Sequence, residues 1–238
     1  IFIAPALFRG GSFGASDNIA SNSFTPYLDA AKKSGDFALW NPYIFSGLPS
    51  YAALLTTGDR WWDFVSKAIF GVGDVMGAIF RNDGARIAFF YILYGAGMYL
   101  LMRSKKHERF TSFFTGFAAT FSTWVIVWVI IGHNTKPVAL CTFPFILLCL
   151  EKLREKFSLL YSVVLILAVH VLVESTHVQM AFYGVCIFGL YLLFEIISRL
   201  ISKNNPGGVF RAAIMLALAG GLAFSMSADR YLSVMEYK

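Results

Sequence analysis

Three donors and one acid stand out by type and position: His133, Lys136, His177 and Asp17. The segment Gly132-His133-Asn134-Thr135-Lys136-Pro137 joins two long apolar runs, and Glu174-Ser175-Thr176-His177 joins two more. Pro137 suits the first turn of a helix with Thr135 or Lys136 at its cap, and Ser175 or Thr176 is the expected cap of the helix that follows. A helix start carries free N–H groups and about half a positive charge, so it attracts phosphate. His133, Lys136 and His177 add donors beside two such starts. Each segment alone also reads as a polar turn of a helical hairpin. The chemistry they offer together is anion binding.

The acid lies elsewhere in the chain. Residues 9–84 contain seven Asp and no Glu. Asp36, Asp59 and Asp83 suit turns or caps, and Asp29 and Asp63 suit solvated helix positions. Asp17 has no helix to cap, and its simpler alternative is an Asx-turn with Ile19 or Ala20. It is the candidate catalytic residue. His133 and His177 form no metal motif, so no metal ligands are assigned. A divalent ion, Mg or Mn, on Asp17, His133 and Glu174 stays open as an alternative.

The positioning elements follow from composition. Hydrophobic residues make up 57% of the 238, charged residues only 14%, and mean hydropathy is +0.63. Soluble domains carry about 25% charged residues, so the chain reads as an all-α, multi-pass membrane protein. The expected spans are 1–8 (the end of a first span), 85–102, 113–131, 137–150, 159–173, 178–197 and 212–226. Those beginning at Pro137 and Leu159 are short for a crossing, which predicts kinked helices or helices sheltered within the bundle. Residues 9–84 form a large first loop, 85–227 a six-helix region, and 228–238 the approach to a further loop. The apolar start at Ile1 predicts a chain that begins inside a span and belongs to a longer protein.

Alternate loops are basic: residues 103–109, residues 151–156, and the loop flanked by Arg199, Lys203 and Arg211. Positive charge marks the cytoplasmic side. The first loop, both polar turns and the tail then share the outer face. The scattered basic residues exclude a nucleic-acid stripe. Cys141, Cys149 and Cys186 sit in apolar runs and read as small buried hydrophobes.

Within the first loop, Thr25-Pro26 opens a short helix over 27–33 that Gly35 ends. Residues 61–76 place Trp61, Val65, Ala68, Ile69, Val72 and Met76 at helical spacing, which predicts an amphipathic helix on the outer surface. His170 lies in an apolar helix and reads as a buried packing or hydrogen-bonding residue. Trp124 and Trp128 share a helix face and suit the interfacial aromatic belt. Glu195 is expected to reach the lipid headgroups. Gly95 and Gly97, and Gly220 and Gly221, suit close helix packing.

Several short motifs occur in a fixed order: Leu39-Trp40-Asn41-Pro42, Phe45-Ser46-Gly47-Leu48-Pro49-Ser50-Tyr51, then the Gly132–Lys136 turn, then Thr176-His177-Val178-Gln179-Met180. With the tail from Ala228 to Tyr237, they resemble the bacterial YfhO family over nearly the whole chain. That family is placed in the GT-C class of membrane glycosyltransferases. The resemblance implies a GT-C-like bundle in the bacterial inner membrane with an extracytoplasmic active face. It implies a polyprenyl-phosphate sugar donor and an acceptor that is a lipid, polymer or protein. Asp17 matches the family's base in the first outer loop. His133, Lys136, His177 and Arg230 would hold the donor phosphate. Trp40, Asn41, Tyr43, Asn134, Glu174 and Gln179 would line the substrate pocket.

The expected partners are therefore membrane lipids and the lipid-linked donor. The alternative is a non-catalytic GT-C-like structural subunit of a larger membrane complex. A lipid flippase or transporter is a third reading, and spans almost free of interior charge argue against ion coupling.

Overall fold

The computed structural model describes residues 23–35, 40–43, 46–50, 64–81 and 83–236. The first loop contributes helix α1 (Thr25–Ser34), the paired strands β1 (Trp40–Asn41) and β2 (Leu48–Pro49), and helix α2 (Phe64–Phe80). The bundle follows as α3 (Asp83–Ser104), α4 (Arg109–Thr120), α5 (Thr123–Ile130), α6 (Thr135–Leu140) and α7 (Phe143–Glu155). It is completed by α8 (Leu159–Glu174), α9 (Val178–Ile201), α10 (Gly207–Met226) and α11 (Ala228–Glu236). Among the described residues, four helical stretches are long and apolar enough to cross a membrane: Gly84–Ser104, Arg109–Ile130, Val178–Ile201 and Gly207–Met226. The described residues are helical apart from turns and one two-residue strand pair, the make-up of an all-α membrane protein.

Two expected spans are broken. The span over 113–131 bends at Phe121 and Ser122, between α4 and α5. Ser122 is extended there, with ψ of 137°, and Thr120 Oγ1 donates to the Gly116 carbonyl at 2.9 Å, a bond that competes with the regular ladder. The span over 137–150 divides at Cys141 and Thr142, because Pro144 has no N–H to offer Leu140 and its ring crowds that carbonyl. Apolar continuity hides both breaks in the sequence. In compensation α7 runs on to Glu155, taking in most of a segment read as loop.

The main core lies between α7, α8, α9 and α10. Ile146, Cys149, Leu153, Leu165, Val209, Ala212, Ala219 and Ala223 are buried there. Lipid is as apolar as these side chains, so close fit and polar contacts hold the spans together rather than hydrophobicity alone. The alanines of α10 let it seat closely on α7 and α8. Helix α8 has sixteen residues, about 24 Å at the usual rise, which is short of an ~30 Å hydrocarbon core. It is instead sheltered on several sides, with Leu165, Ala168, Val169, Val171 and Leu172 buried.

Glycines set a second close contact. A Cβ added at Gly116 of α4 would lie 2.6 Å from the Gly95 carbonyl oxygen of α3. Gly97 approaches Pro144 and Phe145 in the same way. Gly220 and Gly221 do not serve packing, since nothing would lie within 4 Å of an added Cβ at either one. On α10 the close approach is made by Gly208, against the Arg154 carbonyl.

The α2 helix is docked rather than simply laid on a surface. Ile69 and Phe70 pack beside Phe90, Val138, Cys141 and Val171, while Ser66 and Gly73 are buried. The inward stripe is therefore Ser66-Ile69-Phe70-Gly73. Ala68 and Val72, expected on the apolar face that binds, point outward. Small residues on the inner side let α2 reach α3 and α8, and its outer side keeps Phe64, Val72, Val75 and Ile79 exposed. Trp61 lies outside the described residues.

The basic end is tied by charge. Lys105 of the α3–α4 turn reaches the buried Glu151 at 2.8 Å, and Arg154 reaches Glu151 at 3.0 Å and Glu195 at 2.5 Å. Tyr191 also donates to Glu151. Glu195 is thus turned into the bundle, where two arginines compete for it, rather than out to headgroups. Arg211 donates to the Leu153 and Arg154 carbonyls at 2.7 and 3.0 Å, where the end of α7 favours a cation.

Candidate functional site

At the opposite end, the polar turns come together. His133, Asn134 and Lys136 sit at the start of α6, and His177 occupies the N-cap position of α9, one residue beyond the expected cap. The corner before it is tight. Thr176 takes a left-handed φ of 58°, and Ser175 donates to the Leu172 carbonyl at 2.7 Å. Ser175 Oγ also accepts from the His177 N–H at 3.4 Å. The serine thus closes the end of α8 and leaves the histidine to open α9.

His133, Lys136 and His177 are all half-buried. Burial first, and then the charges of Lys136 and His133, hold the His177 imidazole below the usual histidine pKa. Two segments forty residues apart thus share one electrostatic environment. Lys136 Nζ stands 5.6 Å above the Trp128 ring, a cation–π arrangement that fixes its head. Trp124 and Trp128 share a helix face with their rings edge to face, 6.4 Å between centroids, Trp128 being 7% exposed and Trp124 74% exposed. The turn of α5 into Gly132, with φ of 84°, brings Trp128 under the lysine. A buried tryptophan four residues before a polar turn was the available signal for this contact.

The tail helix α11 folds onto the same corner. Arg230 pairs with the buried Glu174 at 3.1 Å, and Ser227 donates to the other carboxylate oxygen. Tyr231 Oη donates to the Val173 carbonyl at 2.7 Å. Burial and then the Glu174 charge raise the Tyr231 pKa, against a smaller opposing effect of Arg230. The tail is therefore a helix anchored to α8, and Ser227 and Tyr231 are anchors that reading the sequence missed. Gln179 is exposed and donates to Tyr183 Oη at 2.6 Å along α9.

One turn deeper, His170 is buried and shares a 2.6 Å hydrogen bond with Ser66 of α2. This agrees with its reading as a hydrogen-bonding core residue and ties the first loop to α8. Cys141 and Cys149 are buried and Cys186 is half-buried.

Of the remaining expected pocket residues, Trp40 and Asn41 lie on the strand pair and Tyr43 in the turn that follows β1. Trp40 faces Pro49 and Asn41 faces Leu48 in antiparallel register. Asn41 is buried, and its side-chain oxygen accepts from the Tyr43 N–H at 3.0 Å. Tyr27 of α1 donates to the Trp40 carbonyl. The indole of Trp40 covers Gly47, where an added Cβ would sit 2.3 Å from the ring.

Asp17 lies outside the described residues. Among the described residues, no group of three or more His, Cys, Asp or Glu side chains is placed to hold a metal ion. Of the alternative divalent set, Glu174 is engaged by Arg230 and Ser227, and Asp17 lies outside. What the described corner offers chemically is a set of N–H and cationic donors at a helix start, with a fixed guanidinium–carboxylate pair beside them. Comparison with protein families, characterised proteins and solved structures finds no match to the chain.

Proposed function

We propose that the protein is a GT-C-type membrane glycosyltransferase, related to the YfhO family, that moves a sugar from a polyprenyl phosphate to an extracytoplasmic acceptor. The observation that carries this reading is the meeting of His133, Lys136 and His177 at the start of α9. A lipid phosphate reaching that corner from the bilayer would meet amide, imidazole and ammonium donors. These stabilise the phosphate as a leaving group, since charge that builds up in the transition state is met by donors already in place. Arg230 stands at the same corner through Glu174. Asp17 is assigned as the base that takes the proton from the acceptor hydroxyl as that oxygen attacks the anomeric carbon.

The test is release of polyprenyl phosphate from polyprenyl-phosphate sugars by the purified protein. Wild type should release it only with acceptor present. Asp17→Asn should lose turnover while staying folded, and Lys136→Ala should lose donor affinity. A folded wild type that releases nothing across several donors and acceptors would favour the structural-subunit reading.

A further inference from the structure

The net charge of the chain sits at one end of the bundle. Residues 103–109, 151–156 and 195–211 hold ten of the twenty Lys and Arg but only four of the fourteen Asp and Glu. The excess of six there equals the net charge of the whole chain, so the remaining segments balance. The fold brings the three basic segments together. Lys105 of the α3–α4 turn and Arg154 of α7 meet at Glu151, Arg154 reaches on to Glu195 of α9, and Arg211 of α10 caps the end of α7.

The four acids of this end are engaged from within. Glu151 and Glu195 hold the ion pairs just named, Lys152 reaches Glu155 at 3.2 Å, and Thr111 donates to Glu108 at 3.0 Å. Lys106, Arg109, Lys156 and Lys203 stay exposed. Exposed Phe110, Phe157 and Ile201 lie one or two residues from Arg109, Lys156 and Lys203. Cations carried beside apolar side chains match an amphiphile, with the charge at headgroup depth and the apolar group against hydrocarbon. An acidic protein from solution would need no such apolar margin.

Two of the four cations stand where the backbone favours glycine. Helices α3 and α9 end alike: the His107 N–H donates to the Met102 carbonyl at 3.3 Å, and the Asn204 N–H to the Arg199 carbonyl at 2.8 Å. Each bond closes the last turn around a left-handed residue. That residue is Lys106, with φ of 67°, in one and Lys203, with φ of 53°, in the other. Glycine is the usual occupant, because a Cβ is strained there. Both lysine side chains are exposed, so packing does not explain the choice, whereas a charge that serves outside the fold does. We propose that the basic end is a binding surface for anionic phospholipid headgroups, with Lys106, Arg109, Lys156 and Lys203 as its cations. Clustered basic residues at a bilayer surface attract acidic lipids, and this property depends on neither the sugar donor nor catalysis.

The experiment reconstitutes the full chain in phosphatidylcholine vesicles that carry a trace of spin-labelled lipid. Electron spin resonance then reads how strongly the protein holds spin-labelled phosphatidylglycerol against spin-labelled phosphatidylcholine of the same chains. Wild type should prefer phosphatidylglycerol by roughly fivefold or more. About 1 M NaCl, which screens charges within ~3 Å, should abolish the preference. Lys106→Gly/Lys203→Gly should weaken it roughly twofold or more. The same variant should melt at a higher temperature, because glycine relieves both left-handed positions, so a lost preference is not a lost fold. Lys33→Gln/Lys67→Gln, which removes two charges from the first loop, should keep the preference. Equal retention of the two lipids by wild type would overturn the proposal, as would an unchanged preference in the glycine variant. An equal fall in the first-loop variant would overturn it too, by assigning the effect to total charge. So would a wild type that shows no lipid preference but binds soluble polyglutamate, which would assign the surface to an acidic protein.

Discussion

His177 is the residue whose protonation couples most directly to the proposed chemistry. Its folded-state pKa lies below the ordinary value of about 6.5, so the neutral imidazole is favoured by folding. Its contribution to stability is complete above that value and is lost as pH falls through it toward the folded pKa. A bound phosphate reverses the preference, because the anion stabilises imidazolium. Affinity for a phosphate monoester should therefore rise as pH drops below neutrality, and His177→Gln should flatten that dependence. A binding titration at several pH values measures both. Arg230 and Glu174 make a different prediction. Removing Arg230 takes the counter-charge from a carboxylate whose side chain is 3% exposed, leaving it the Ser227 hydroxyl, a loss of about 3–5 kcal/mol. Thermal unfolding in detergent should show Arg230→Ala strongly destabilised, and adding Glu174→Gln should recover much of the loss by removing the buried charge. The donors at this corner were legible as residue types beside Pro137 and Val178. The Glu174–Arg230 pair was not, since the two residues are far apart in the chain and only the return of α11 brings them together.

At the scale of elements, apolar runs located the helices but not their interruptions. The run over 113–131 looks unbroken because its break falls at Phe121 and Ser122, and one small hydroxyl residue does not lower hydropathy enough to be seen. Pro144 did carry a signal, but proline also begins helices, and an isolated proline does not say which role it has. Glycine posed the same ambiguity. Gly95 and Gly97 are contact positions, whereas Gly220 and Gly221 open onto space, and all four lie in similar surroundings in the sequence. The distinction can be tested. Gly116→Ala forces a methyl against the α3 backbone and should cost roughly 1–3 kcal/mol. Gly221→Ala meets nothing and should be neutral or stabilising by up to about 1 kcal/mol, as alanine favours a helix over glycine. Thermal melts of the two variants side by side would show the difference.

The whole molecule has two ends of different character. One gathers Lys105, Glu151, Arg154, Tyr191 and Glu195 into a satisfied network that holds α9 to α7 and α3. The other leaves His133 and Lys136 half-buried around the start of α9, with α11 folded beside them. Alternation of loop charge anticipated this division, because it depends on how often the chain crosses and not on any particular contact. It did not anticipate how deeply Glu151 and Glu195 are used, since the partner of a charge cannot be read from one loop. The proposed chemistry requires the second end to bind a lipid phosphate. The most direct test is the affinity of a polyprenyl monophosphate for the nanodisc-embedded protein, wild type against the Lys136→Ala/His177→Gln double variant. Charge-assisted hydrogen bonds contribute about 1.5–3 kcal/mol each, so the double variant should bind at least tenfold more weakly. Equal affinity of the two proteins would contradict the assignment of this corner as the phosphate site.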